Sequence, residues 1–143
     1  GEPFVDAAES VIAHSIFAVP GIRGLEFGAG FASAKMRGSE CNDPILDGAG
    51  TTATNHAGGV NGGITNGNEL RFRVAVKPTS SIGREQDTIN LPSGEPAKLI
   101  VEGRHDACFA LRLPVVIEAA AAIALADLAM LEQRIPRVLN TYF

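Results

Sequence analysis

Only two cysteines, Cys41 and Cys108, occur in the 143 residues; they stand 67 positions apart and form no C-x-x-C pair. That excludes a secreted scaffold held by disulfides, and two free thiols fit a reducing cytosol. Positive charge is also scarce: 12 Lys and Arg face 16 Asp and Glu, a formal net charge of −4, and the basic residues are scattered. Nucleic acid is therefore not expected as a partner, because its binding rests mostly on neutralised phosphates. A small phosphate-bearing molecule needs only a few local cations and stays open.

Long hydrophobic runs are missing too. The longest, Val115 to Leu131, carries Glu118 and Asp127 and falls short of the roughly 20 residues that cross a bilayer. A buried helix and no membrane contact are expected from it. His14, His56, His105 and the cysteines show no metal-ligand spacing, so no metal is expected. No Walker A sequence, no G-x-G-x-x-G after a strand and no G-x-S-x-G elbow is present. The start, Gly1-Glu2-Pro3-Phe4, has no secretion signal and no initiator Met, which predicts a cytoplasmic protein and a processed or truncated product.

What is present suffices for a core. A chain of this size hides roughly 70% of the surface its unfolded form exposes, and with 45% hydrophobic residues whole-chain disorder is excluded. Val5, Ala8, Ile12 and Ile16 lie at helical spacing, which predicts an amphipathic helix over 2–17 that stops before Pro20-Gly21. Glycines at 24, 28 and 30 interrupt short runs and predict brief strands joined by turns from Gly24 to Met36. Residues 38–67 read as a long polar connection. Leu70 to Val76 alternates like a half-buried strand, 79–96 reads as a polar loop, and Lys98 to Glu102 as a short strand. The apolar run predicts a helix over 115–133, with Ala119 to Ala122 making it narrow enough for close packing. Helix, strands, strands, helix gives an α+β class with an antiparallel sheet. Residues 135–143 are expected to form a loosely held tail.

Three segments could carry chemistry. Five glycines within 55–67 would let the backbone approach a flat or anionic ligand, or would simply make tight turns at a hairpin tip. Lys77-Pro78-Thr79-Ser80-Ser81 offers a cation, hydroxyls and N–H groups just past a strand end, a grip for phosphate oxygens or a carbonyl-rich ring, or else a Pro-initiated turn. Gly103-Arg104-His105-Asp106 brings a guanidinium and a carboxylate close together. Arg104 could hold an anion while Asp106 moves or directs a proton, or the two could form a local ion pair.

These segments, taken together, carry a resemblance. Gly1-Glu2-Pro3-Phe4, Gly24-Leu25-Glu26-Phe27-Gly28, Gly38-Ser39-Glu40 with Asn42-Asp43, Asn55-His56-Ala57-Gly58-Gly59 with Gly62-Gly63-Ile64, Lys77 to Ile82, and Gly103 to Asp106 with Cys108, Arg112 and Glu118 follow one another as in the C-terminal portion of a chorismate synthase. Ala107 stands where the family has Pro, and Pro114 lies one place early.

The resemblance implies a lyase of the shikimate pathway, which makes chorismate and phosphate from 5-enolpyruvylshikimate 3-phosphate by 1,4-elimination. It implies reduced FMN as cofactor, with NADPH as that flavin's candidate reductant. It implies long helices sandwiched between antiparallel four-stranded sheets in a homotetramer, with residues 1–134 as part of that domain. Carried over by position, Gly62 and Lys77, Pro78, Thr79, Ser80 and Ser81 would line the flavin. Arg104 would contact flavin and substrate anions, and Asp106 would sit near flavin N5 as the catalytic carboxylate. His105 carries no expected role, and Asn42 and Asp43 would hold a loop through side-chain to backbone bonds. The family's catalytic histidines, its arginine cluster and its Gly-Glu-Ser-His-Gly motif lie in an N-terminal part, so this fragment alone is expected to be inactive. The residues also allow a non-catalytic module that binds flavin or anions, or that drives oligomerisation.

Overall fold

The computed structural model describes residues 1–135. In chain order its elements are α1 (Ala8–Phe17), β1 (Ile22–Phe27), α2 (Gly38–Cys41), β2 (Val60–Asn61), β3 (Ile64–Thr65), β4 (Phe72–Val76), β5 (Gln86–Ile89), β6 (Pro96–Leu99) and α3 (Pro114–Leu131). The class is α+β, as expected. All strand pairs are antiparallel, and among the described residues each sheet has two strands: β1 with β4, β2 with β3, and β5 with β6. The loose tail expected for 135–143 lies, from 136 onward, outside the described residues.

Ala8, Ile12 and Ile16 form the inner face of α1 and are fully buried. The helix starts later than its periodicity predicts. Residues Phe4–Asp6 form a 3-10 turn, and Ala7 is extended at φ −55° and ψ 143°. The reason is a competing acceptor: the Ala8 N–H donates to the Gly63 carbonyl at 2.8 Å. Val5 consequently stands exposed, off the buried stripe.

β1 and β4 pair from Ile22↔Val76 to Phe27↔Phe72, with a register shift between Ile22 and Gly24. The Phe27 and Phe72 rings meet with centroids 5.7 Å apart, a distance typical of tilted aromatic pairs. Phe72, Val74 and Val76 turn toward the core while Arg73 and Ala75 face out, the alternation the sequence predicts. Only one strand forms between Gly24 and Met36, however. Gly30–Lys35 is a 3-10 helix with Phe31 exposed, because Gly28 and Gly30 both take positive φ and turn the chain away from the ribbon.

α3 matches its predicted span closely, with Pro114 at its first turn, where the missing N–H costs nothing. Ile117, Ala121, Ala124 and Leu128 bury one face against α1 and the ribbon, and the small alanines permit the close approach. The expectation of a buried helix is corrected: 22% of its 18 residues are buried, and Val115, Ile123 and Leu131 are exposed. By length and composition α3 is apolar enough to cross a membrane.

The polar connections are more structured than predicted. Residues 38–67 contain α2, an Ile45↔Thr52 bridge and the β2–β3 hairpin. The loop predicted at 79–96 contains β5, and the strand predicted at 98–102 is β6, two or three residues earlier. Gln86-Asp87-Thr88-Ile89 shows no apolar alternation, so only its pairing across the Asn90–Glu95 turn, closed by Asn90 N–H to Glu95 O at 2.8 Å, makes it a strand.

Candidate functional site

The glycine-rich segment is held by its backbone. Gly28 N–H donates to Arg71 O at 2.9 Å, Arg71 N–H to Gly58 O at 3.0 Å, and Ala29 N–H to His56 O at 2.8 Å. A Cβ at Gly28 would stand 2.0 Å from His56 O, so this crossing requires glycine. Farther on, Gly62 and Gly63 take φ +59° and +87° between β2 and β3, the conformation that two-residue hairpins favour. At Gly62 the hairpin-tip reading is therefore what the fold contains. No neighbouring atom lies within 4 Å of where its Cβ would stand.

Asp43 closes this segment from the side. One carboxylate oxygen accepts the His56 N–H at 2.7 Å and the Thr54 hydroxyl at 2.7 Å; the other accepts the Ala57 N–H at 2.9 Å. The His56 Nδ1 lies 3.5 Å from the same carboxylate. Burial works to raise the Asp43 pKa, but donors from Ala57, Thr54 and His56, together with the imidazole, outweigh it and hold the carboxyl below its ordinary value. The loop-holding bonds expected of Asp43 are present.

Lys77 ends the β4 edge, its N–H donating to Gly21 O at 2.8 Å. The Lys77, Pro78, Ser80 and Ser81 side chains are exposed. Thr79 differs: its Oγ1 is buried and has no partner among the described residues. A little farther on, a Cβ at Gly83 would stand 3.9 Å from His105 Cδ2, so these two residues are neighbours. His105 itself is occupied, its Nε2 lying 2.7 Å from Val101 O. Arg104 is exposed and, among the described residues, pairs with no carboxylate. The ion pair allowed by the sequence does form, but with another partner: Arg112 Nη2 donates to Asp106 Oδ1 at 2.9 Å.

The structure thus brings Gly83 next to His105 and leaves Gly62 on a hairpin tip. No cluster of metal-ligating side chains occurs among the described residues. Two features escaped sequence reasoning. The buried Thr79 hydroxyl has no signal in a Pro-Thr-Ser-Ser turn. A groove of about 700 Å³ between α1 and α3, lined by Val11, His14, Ile123, Asp127 and Met130, arises from two helices far apart in the chain.

The family model for chorismate synthase matches residues 1–130. The chain is 66% identical over 138 residues to the chorismate synthase of Chitinophaga pinensis, covering 96% of this chain and 42% of that protein. It is 47% identical over 142 residues to that of Dehalococcoides mccartyi (98% of this chain, 39% of that protein) and 44% identical over 141 to that of Archaeoglobus fulgidus (97% and 39%). It spans about two fifths of the length of these relatives. A crystal structure of chorismate synthase matches 52% of this chain and 23% of its own at 36% identity and TM-score 0.49, too low to bear on the fold.

Proposed function

The chain belongs to the chorismate synthase family, and from that premise we propose that it is the C-terminal portion of a cytoplasmic, homotetrameric enzyme converting 5-enolpyruvylshikimate 3-phosphate to chorismate and phosphate. Residues 1–134 are then one part of a larger domain whose four-stranded sheets and N-terminal portion complete the helix sandwich. The observation that carries the reading is the match across residues 1–130 together with 66% identity over 138 residues.

The donor set fits reduced FMN. Thr79 offers a buried hydroxyl without a protein partner among the described residues, and the adjoining sequence adds the exposed Lys77 and the exposed Ser80 and Ser81. These groups suit phosphate or ring carbonyl oxygens. Gly62 presents a turn with no side chain to obstruct a flat ring. Reduced FMN, when bound, supplies electron density for the departure of the allylic phosphate and needs no net redox change, with NADPH as its reductant in the parent enzyme.

The chain's own residues have separate tasks in this reading. Arg104, exposed and unpaired with any described carboxylate, holds anionic oxygens of flavin and substrate bidentately. Asp106 holds or takes the proton at flavin N5. Its carboxylate now rests on Arg112 and must exchange that contact to act. The acid, the base and the remaining substrate arginines come from the absent part, so the chain alone does not turn over.

A fluorescence titration of oxidised and dithionite-reduced FMN, with and without the substrate, tests the proposal. Micromolar binding that weakens in Arg104→Ala is expected. No binding up to millimolar FMN, either alone or with the N-terminal part of a relative supplied in trans, would overturn it.

A further inference from the structure

We propose that Asp43 is a positioning residue for flavin binding: its carboxylate clamps the Thr54–Ala57 turn and thereby sets the β2–β3 hairpin that carries Gly62. The inference rests on the flavin reading above.

The geometry starts from what one side chain collects. Asp43 accepts from the Thr54 hydroxyl and from the N–H groups of His56 and Ala57, at 2.7, 2.7 and 2.9 Å. Three donors from four consecutive residues converge on one carboxylate, and bonds to an ionised acceptor are the stronger kind. His56 stands thirteen positions after Asp43, so the clamp joins the 38–54 loop to a turn that local sequence does not bring near it.

Backbone bonds tie the turn and the residues that follow it to neighbouring segments. His56 O accepts from Ala29 N–H, Gly58 O from Arg71 N–H, and Gly59 O from Asn66 N–H at 2.9 Å. Gly63 O accepts from Ala8 N–H at the start of α1. The hairpin is therefore fixed on its far side by α1 and on its near side by Gly58 and Gly59, which follow directly on the turn that Asp43 holds. Releasing that turn loosens the near side, and the α1–α3 core of Ile12, Ile16, Ile117 and Ala124 is a different cluster from the one in which Val60 of β2 packs with Ala8 and Leu128.

The titratable groups that share the cavity beside Asp43 are His56 in the clamped turn, Glu9 on α1 and Cys41 at the end of α2. Of these, His56 places its Nδ1 3.5 Å from the carboxylate, and protonation of Asp43 releases the clamp.

Backbone amide spectra and FMN titrations of the whole chain, of Asp43→Ala and of Asp43→Asn test the proposal. In Asp43→Ala the amides of His56, Ala57 and Gly62 should move, those of Ile12, Ile117 and Ala124 should stay, and FMN affinity should fall about tenfold or more. Asp43→Asn keeps one acceptor oxygen and should recover part of that loss. On acidification the His56 and Ala57 amides of the unsubstituted chain should follow one proton uptake that Asp43→Asn lacks. An unmoved Gly62 amide in Asp43→Ala, or unchanged FMN affinity in it, would overturn the clamp. If the unsubstituted chain binds no FMN, the flavin reading of the isolated chain fails, and the Gly62 amide still decides whether the clamp sets the hairpin.

Discussion

The guanidinium of Arg112 donates to the carboxylate of Asp106 at 2.9 Å, across six positions of chain that include the 3-10 turn Phe109–Arg112. Both side chains are substantially exposed, at 76% and 45%, and pairs of that kind contribute about 0.2–1 kcal/mol. The pair therefore contributes little to the fold. Arg112→Ala is expected to cost under about 1 kcal/mol in urea unfolding. Asp106→Ala in the full-length enzyme should lower kcat by roughly 10²–10⁴-fold, the range for a lost proton-transfer group, with FMN affinity nearly unchanged. Wild-type turnover in Asp106→Ala would remove the residue from the mechanism.

The core gives a second prediction. Ile12 and Ile16 are wholly buried between α1, α3 and the ribbon, so Ile12→Ala or Ile16→Ala should each destabilise by about 2–5 kcal/mol. Ile123, 71% exposed on α3, should tolerate alanine within about 0.5 kcal/mol. The shift in urea midpoint measures all three.

Acid should weaken the glycine-rich region before the core. The Asp43 pKa is depressed in the folded chain from an ordinary value of 3.8. Its contribution is thus present above the unfolded value and is lost as pH falls from there through the lower folded value. Asp47 acts in the same direction through donors from Thr51. Urea midpoints measured from pH 6 downward should decline below about pH 4, with a shallower slope in Asp43→Asn. Identical slopes would mean that the carboxylate contributes nothing.

Three glycine-to-alanine changes should rank by environment. At Gly28 the new methyl overlaps His56 O at 2.0 Å with φ +53°, and a cost above about 3 kcal/mol is expected. Gly62 has open space but φ +59°, a cost of about 1–2 kcal/mol. Gly48 has open space and no left-handed φ, so alanine should be neutral or stabilise by about 0.4–1 kcal/mol. Thermal unfolding of the three variants checks the order.

The exposed apolar residues of α3 predict self-association. Val115, Ile123 and Leu131 stand exposed on a helix with few charges, and exposed apolar surface favours a partner. Sedimentation velocity should find oligomers that Ile123→Lys with Leu131→Lys disperses. A monomer at millimolar concentration would mean that the face is tolerated in water.

Much of this was legible in the sequence, for a local reason. The stripe Ala8, Ile12, Ile16, the alternation Phe72 to Val76 and the Pro114-led apolar run each repeat at the period of the element they form, so side-chain burial alone selects helix or strand there. The α+β class followed from the same pattern. Tertiary structure decided the rest through contacts distant in sequence. The carbonyl of Gly63 sets where α1 begins, and pairing with β6 turns a polar Gln86–Ile89 into a strand. Asp43 reaches thirteen residues onward to hold a turn, and Asp106 settles on Arg112 rather than on the neighbouring Arg104. Each of these depends on hydrogen-bond partners that meet only once the chain has folded, and no spacing along the sequence encodes them.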